Sequence, residues 1–297
     1  MNASKRIKLI LTSIIFLLFS TFALGQKLSP KERVIEPDHT ITSKIMDKEY
    51  QLYISFPKSY STKDANLYPV LYVLDGHFSY HLFKGVQKLL TTDKAIEEVI
   101  IVGIREGHDF NSWFINRAYD FTPSRDTVWE RNREKIYNLA KGSLTTGGAA
   151  EFLESIKTEI VPFIERNYKT NNDRGITGWA FGGLFTAYSF INSDGYFTRF
   201  GINTSTLWWN SNEILNQAVL RFSNNKTWDL PPTKVFMSVG TLDESSMIPA
   251  MLKFSSHLKN RTYKNIDFES QIFDKETHAS TLPTSLSRTL AVLYGTK

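Results

Sequence analysis

The chain has 297 residues, 41% of them hydrophobic and 22% charged, with a formal net charge of +5, the balance of a globular protein with a sizeable core. It contains no cysteine, which excludes disulfides, a thiolate metal site and a lipidated cysteine. Lys5, Arg6 and Lys8 open the chain, and subtracting those three charges from +5 leaves +2, so the basicity does not indicate a nucleic-acid surface.

The same basic residues precede an apolar run over 9–24 and the small residues Ala23 and Gly25 just ahead of Gln26. A basic start, an apolar centre and a small-x-small end make the pattern of a secretory signal peptide. Residues 1–25 are therefore expected to be removed and the protein exported, to the periplasm or beyond. The run is short for a bilayer span of about 20 residues, so no stable membrane span is expected after cleavage. Residues 26–297 read as one domain, opening with a polar, proline-punctuated tether over 26–39.

Residues 41–46 and 50–56 form a hairpin pattern about Asp47-Lys48, with Tyr50, Leu52 and Ile54 alternating against Gln51 and Tyr53. The continuous apolar run 70–74 stops at Asp75-Gly76, as a strand buried on both faces does. Tyr80, Phe83, Val86, Leu89 and Leu90 then recur at helical spacing, and 99–104 is a second buried strand. This alternation predicts an α/β fold, a mostly parallel, doubly wound sheet with helices on both faces. Over 105–148 the pattern weakens into charged and aromatic residues, among them Trp113, Phe114 and Trp129, and a stretch this long between elements is expected to be a lid or a solvated insertion. The alternation resumes with a helix over 149–168, a strand over 175–177 and a helix over 182–192. A strand over 200–203, a helix over 213–222, a strand over 235–239, a helix over 247–258, a strand over 266–273 and a helix over 282–293 follow.

Gly175-Ile176-Thr177-Gly178-Trp179-Ala180-Phe181-Gly182-Gly183-Leu184 spans the corner between the 175–177 strand and the next helix. A nucleophile elbow reads G-x-S-x-G, with its serine on a strained strand-to-helix turn and glycines two before and two after. Gly178 and Gly182 hold the flanking places here, and Ala180 stands where the serine belongs. On this motif, on the run from Tyr68 to Gly76, on Ser205-Thr206-Leu207-Trp208-Trp209-Asn210 and on Met247-Ile248-Pro249-Ala250-Met251, the chain resembles the putative-esterase family of α/β-hydrolases from about Gln51 onward. That family includes enterochelin-esterase-like and esterase-D-like enzymes, and its members usually read G-H-S-x-G-G at the elbow, so Trp179 and Ala180 are departures. The resemblance implies an α/β-hydrolase fold and a small-molecule carboxylic ester, such as a siderophore, an acylated sugar or a short acyl ester. No H-E-x-x-H, P-loop or G-x-G-x-x-G is present, so neither metal nor nucleotide cofactor is expected.

An acyl-transfer site on this fold takes its nucleophile, acid and histidine in that chain order. His278, in the loop before the last helix, is the expected base and should face Ala180 across a pocket. Asp243, just past the 235–239 strand, is the expected orienting acid, with Glu244 as its competitor. The backbone N–H of Phe181 would serve the oxyanion, with a second donor from Gly76 or His77. Trp179, Trp208 and Trp209 would wall the pocket, core packing being the other reading of the last two. Alanine has no hydroxyl, so no acyl-enzyme can form at Ala180, and little or no turnover is expected. A naturally silent pseudoenzyme, a serine-to-alanine variant and a histidine-activated water all stay open as explanations. Three functions follow from these residues: an exported ester hydrolase, a non-catalytic module that keeps the pocket for a ligand or partner, and an acyltransferase.

Overall fold

In the computed structural model the described residues are 35–224, 228–259 and 263–296, so the signal peptide read at 1–25 lies outside them. Strands β1 (His39–Ser43) and β2 (Lys48–Ser55) form the expected antiparallel hairpin, turned through Asp47 at φ 51°. Six more strands join them: β3 (Tyr68–Val73), β4 (Ile100–Arg105), β5 (Thr170–Trp179), β6 (Arg199–Asn203), β7 (Thr233–Gly240) and β8 (Ile266–Phe273). The sheet runs β1-β2-β4-β3-β5-β6-β7-β8. Its first two pairings are antiparallel and the other five parallel.

The continuous apolar runs follow from cover on both faces, because successive side chains of a strand point to opposite sides. Val70, Tyr72 and Leu74 join one buried cluster, while Leu71 and Val73 join another; Val235, Met237 and Val239 are likewise opposed to Phe236. The second cluster is closed by Tyr80 and Phe83 of α1 (Gly76–Thr92) and by Leu286 and Leu290 of α9 (Thr281–Tyr294). The first is closed by side chains of the later helices, such as Phe152, Phe185 and Phe254. Burying each such side chain is worth about 1.5–3 kcal/mol, so a strand slipped by one residue would expose one set or the other.

Two stretches differ from the sequence reading. Residues 149–168 form α4 (Ala149–Ser155), a π-helical turn over Ile156–Ile160 and α5 (Val161–Asn167) in place of one regular helix, with the Val161 N–H reaching back to Ile156 O. Pro162 follows at once, and a proline offers no N–H to the regular ladder and crowds the carbonyl four residues back. The weak pattern over 105–148 conceals two helices, α2 (Phe110–Asp120) and α3 (Thr127–Ile136). Helices α6 (Phe181–Asn192), α7 (Trp209–Asn224) and α8 (Met247–Lys259) complete the described residues. Asn210, Ser211 and Asn212, at the start of α7, have φ of 39°, 60° and 63°.

Candidate active site

Strand β5 enters α6 through Ala180, whose φ of 56° and ψ of −116° lie outside the regions an alanine ordinarily adopts. The corner is held at both ends: the Ala180 N–H donates to Asn203 O at 3.2 Å, and its carbonyl accepts the Leu184 N–H at 2.9 Å. The turn is tight enough that a Cβ on Gly178 would lie 2.3 Å from the carbonyl carbon of Gly182, so the flanking glycine is a steric requirement. Phe181 opens α6, and its N–H belongs to the first turn, whose amides have no intrahelical acceptor.

His278 lies beyond the end of β8 and Asp243 beyond the end of β7. The His278 Nδ1 and Asp243 Oδ1 are 2.9 Å apart, with the Asp243 side chain 1% exposed and that of His278 37%. Asp243 Oδ1 also accepts the Glu244 N–H at 2.8 Å, whereas the Glu244 residue is exposed. Of the two neighbouring carboxylates, then, Asp243 is the one bonded to the imidazole. Trp179 also contacts this histidine: its indole N–H donates to the His278 carbonyl at 2.9 Å, and the two rings are 4.4 Å apart.

Ala180, Phe181, Trp208, Glu244 and His278 line one cavity of about 220 Å³. Trp209 does not reach it. This ring is fully buried beneath the wall, 5.3 Å from each of the Phe181 and Trp129 rings, and its indole N–H donates to Ser124 O at 3.2 Å. Trp179 is engaged with His278 and is outside the lining, as are Gly76 and His77. The remaining wall comes mainly from α2 and α3: Phe114, Arg117, Trp129, Arg133 and Tyr137. In the sequence Phe114 and Trp129 stand out only as aromatics of a lid or solvated insertion, and none of these five is marked as a site residue, although Asp109 three residues before Ser112 and Asp126 ahead of Val128-Trp129 are helix-start signals. Asp109 and Ser112 make a reciprocal capping box, and the Asp126 carboxylate accepts the Val128 and Trp129 N–H groups at 3.0 and 2.9 Å.

A buried polar network lies behind this wall. Arg117 grips the Asp75 carboxylate with two hydrogen bonds of 2.8 and 3.0 Å, and the Trp113 indole N–H adds a third at 2.8 Å. Asp75 caps α1 in a left-handed conformation, φ 53°, and donates its N–H to Glu106 Oε1 at 3.2 Å. A Cβ on Gly76 would lie 2.8 Å from the backbone of Ile104, so only glycine lets the strand end turn this closely into the helix. Glu106 is fully buried, and that burial, reinforced by the Asp75 and Asp120 carboxylates, pushes its pKa well above the ordinary value. Burial pushes the His77 imidazole down to about 4 against the opposing pull of Asp75.

A wider groove of about 710 Å³ runs past Asp173, Arg199, Lys234 and Lys264, at the amino ends of β5 to β8. Open parallel sheets bind their ligands at the carboxyl ends, where Ala180, Thr206, Glu244 and His278 all stand, so the smaller cavity is the candidate. Among the described residues no group of three or more His, Cys, Asp or Glu is placed to hold a metal ion, and no helix is long and apolar enough to cross a membrane.

A sheet of this order, with a strained strand-to-helix corner and an acid and histidine beyond later strands, defines an α/β-hydrolase. The chain belongs to the family described as Putative esterase, whose model matches residues 43–280. It is 27% identical over 154 residues to the apo-salmochelin esterase of Escherichia coli O6:H1, covering 52% of this chain but only 45% of that relative. It is 24% identical over 263 residues to the ferri-bacillibactin esterase BesA of Bacillus subtilis, covering 84% of this chain and 86% of that one. The crystal structure of the BES protein from Bacillus cereus matches with a TM-score of 0.73 at 28% identity, covering 89% of this chain and 98% of that one.

Proposed function

We propose that the cavity between Ala180 and His278 is an ester-binding site in which Ala180 occupies the nucleophile position, His278 is the base and Asp243 is its orienting acid. The observation that carries this reading is the 2.9 Å bond between His278 Nδ1 and the buried Asp243 carboxylate, with the imidazole lining the same cavity as Ala180. Asp243 would hold the ring so that Nε2 serves the cavity, and Phe181 N–H would meet a developing oxyanion, joined by Gly76 or His77 from the start of α1. Trp208 would form part of the wall against the substrate. The relatives are named for siderophore esters, and a siderophore ester is the substrate class this reading favours. The basic, apolar and small-residue pattern of 1–25 supports export.

With a methyl group at position 180 there is no proton for His278 to remove, and a covalent acyl step has no nucleophile. That specific feature also favours the second reading, a silent member of the family that binds its ligand without turning it over. The test compares the chain with its Ala180→Ser variant on short p-nitrophenyl esters. In a serine protease the nucleophile is worth about 10⁶ in kcat, so a gain of at least about 10³ is expected here. A silent Ala180→Ser variant that still binds ester would favour the binding module. Hydrolysis by the unaltered chain that survives His278→Ala would place the chemistry elsewhere and end both readings.

A further inference from the structure

We infer that in its Ala180 form the cavity is a receptor for an aromatic carboxylate, the acid half of an ester, in preference to the ester itself. The inference deepens the proposed function, because it takes Ala180, Phe181 and His278 as the remains of an ester site. An independent observation points to an anion. Arg133 lines the cavity with its guanidinium 5.5 Å over the Trp129 ring, and among the described residues it has no carboxylate partner. Arg117, the other guanidinium in the lining, is by contrast paired with the Asp75 carboxylate through two hydrogen bonds. Glu244 also lines the cavity but is exposed and makes no ion pair with Arg133, and a half-buried, unpaired cation beside aromatic rings favours a negatively charged occupant.

The floor fits the two oxygens of such a group. One carboxylate oxygen can accept the Phe181 N–H at the start of α6, where the helix field favours negative charge. The second would fall where a serine Oγ would have been, against the Ala180 methyl in the cavity that His278 also lines, and with Nδ1 committed to Asp243 the imidazole has Nε2 to offer it. With serine present that space is filled by the hydroxyl; with alanine it is open to a ligand oxygen. An ester carries an alkyl group on that oxygen, which crowds the corner and removes the charge that Arg133 would meet. The walls beyond are rings, Phe114, Trp129, Tyr137 and Trp208, with Phe114 and Tyr137 4.5 Å apart, and suit a planar aromatic body.

The experiment is a calorimetric titration of the full chain with benzoate, methyl benzoate and benzamide. Benzoate should bind saturably, and the two neutral analogues at least about tenfold more weakly, the scale of one charge-assisted hydrogen bond. Arg133→Gln should weaken benzoate by about tenfold with no change in melting temperature, and Arg133→Lys should hold it within a few-fold. Ala180→Ser should also weaken benzoate, through the added oxygen. Equal binding of benzoate and methyl benzoate, an absence of benzoate binding, or an Arg133→Gln variant that binds benzoate unchanged would each overturn the inference. Its failure is separable from that of the proposed function: an Ala180→Ser variant that hydrolyses esters beside a parent indifferent to benzoate leaves the ester reading standing. Benzoate selectivity beside a silent Ala180→Ser variant does the reverse.

Discussion

Ala180 keeps a backbone conformation that costs on the order of 1–3 kcal/mol for a residue with a Cβ, and it keeps it with a side chain that can do no covalent chemistry. The conformation persists because β5 and α6 impose it from both ends, through bonds to Asn203 and Leu184. Residues around it are perturbed in ways that a titration can read. His77 is half-buried, its Nδ1 has no partner, and its ring lies 4.8 Å from that of Trp113. Its folded pKa of about 4 is below the ordinary 6.5, so between those values the unfolded chain takes up a proton that the folded chain refuses. The stability associated with this residue is therefore fully present above pH 6.5 and is lost as pH falls toward 4. An NMR titration should place the His77 ring near 4, and His77→Phe should lose less stability than the parent over that interval. Titration at an ordinary imidazole value would contradict the burial argument.

Helix α3 is the element that carries Trp129 and Arg133 to the cavity, and its attachment is local and polar. Asp126 caps its first turn, and its two buried carboxylates, Glu130 and Glu134, accept the backbone N–H groups of Thr146 and Leu144 at 2.9 and 3.0 Å, tying the returning loop to the helix. Removing the cap should be felt at two levels. Asp126→Ala is expected to cost about 0.5–2 kcal/mol, the usual value of an N-cap side chain, read as a lower urea midpoint with an unchanged slope. It should also weaken binding in the cavity, because the frayed turn bears Trp129. An unchanged midpoint would mean that the Glu130 and Glu134 clamps hold the helix without its cap.

Across the whole molecule the sheet has antiparallel strands at one edge and a parallel body. Helices cover both faces of that body, and the candidate site collects at the strands' carboxyl ends. Beneath it, Glu106 links the β4 end to the capping residue of α1 through the Asp75 N–H, and its Oε2 is buried with no partner. Its pKa is raised in the folded state, so the native protein holds a proton that the unfolded chain releases above about 4.5. The corresponding stability is full below that value and declines as pH rises toward the folded pKa. Glutamine keeps the shape without the titration. Glu106→Gln should therefore gain stability relative to the parent as pH rises from 4.5 to 8, measured by chemical denaturation at each pH, and a gap that closes over this range would refute it.

Much of this was legible in the chain itself. Apolar runs of five or six residues, broken by glycine and separated by helical periodicity, determine a covered parallel sheet, because only burial on both faces accounts for strands with no polar side. The elbow was equally plain, since glycines at 178 and 182 around a strand-to-helix change leave few other readings. Position relative to strand ends put forward His278 as a candidate base and Asp243, with Glu244 as its competitor, as a candidate acid. What the sequence left open was decided by packing at long range. Asp243 and Glu244 are adjacent and alike until the fold buries one against His278 and leaves the other exposed. Trp208 and Trp209 are indistinguishable until one lines the cavity and the other sits beneath it. The α2 and α3 wall was hidden for a related reason: both helices are short, and α3 is polar and held by its cap and by the buried carboxylates Glu130 and Glu134. The face of α3 therefore carries little of the hydrophobic periodicity that a linear sequence displays, and the contribution of both helices to the cavity exists only once the chain has folded.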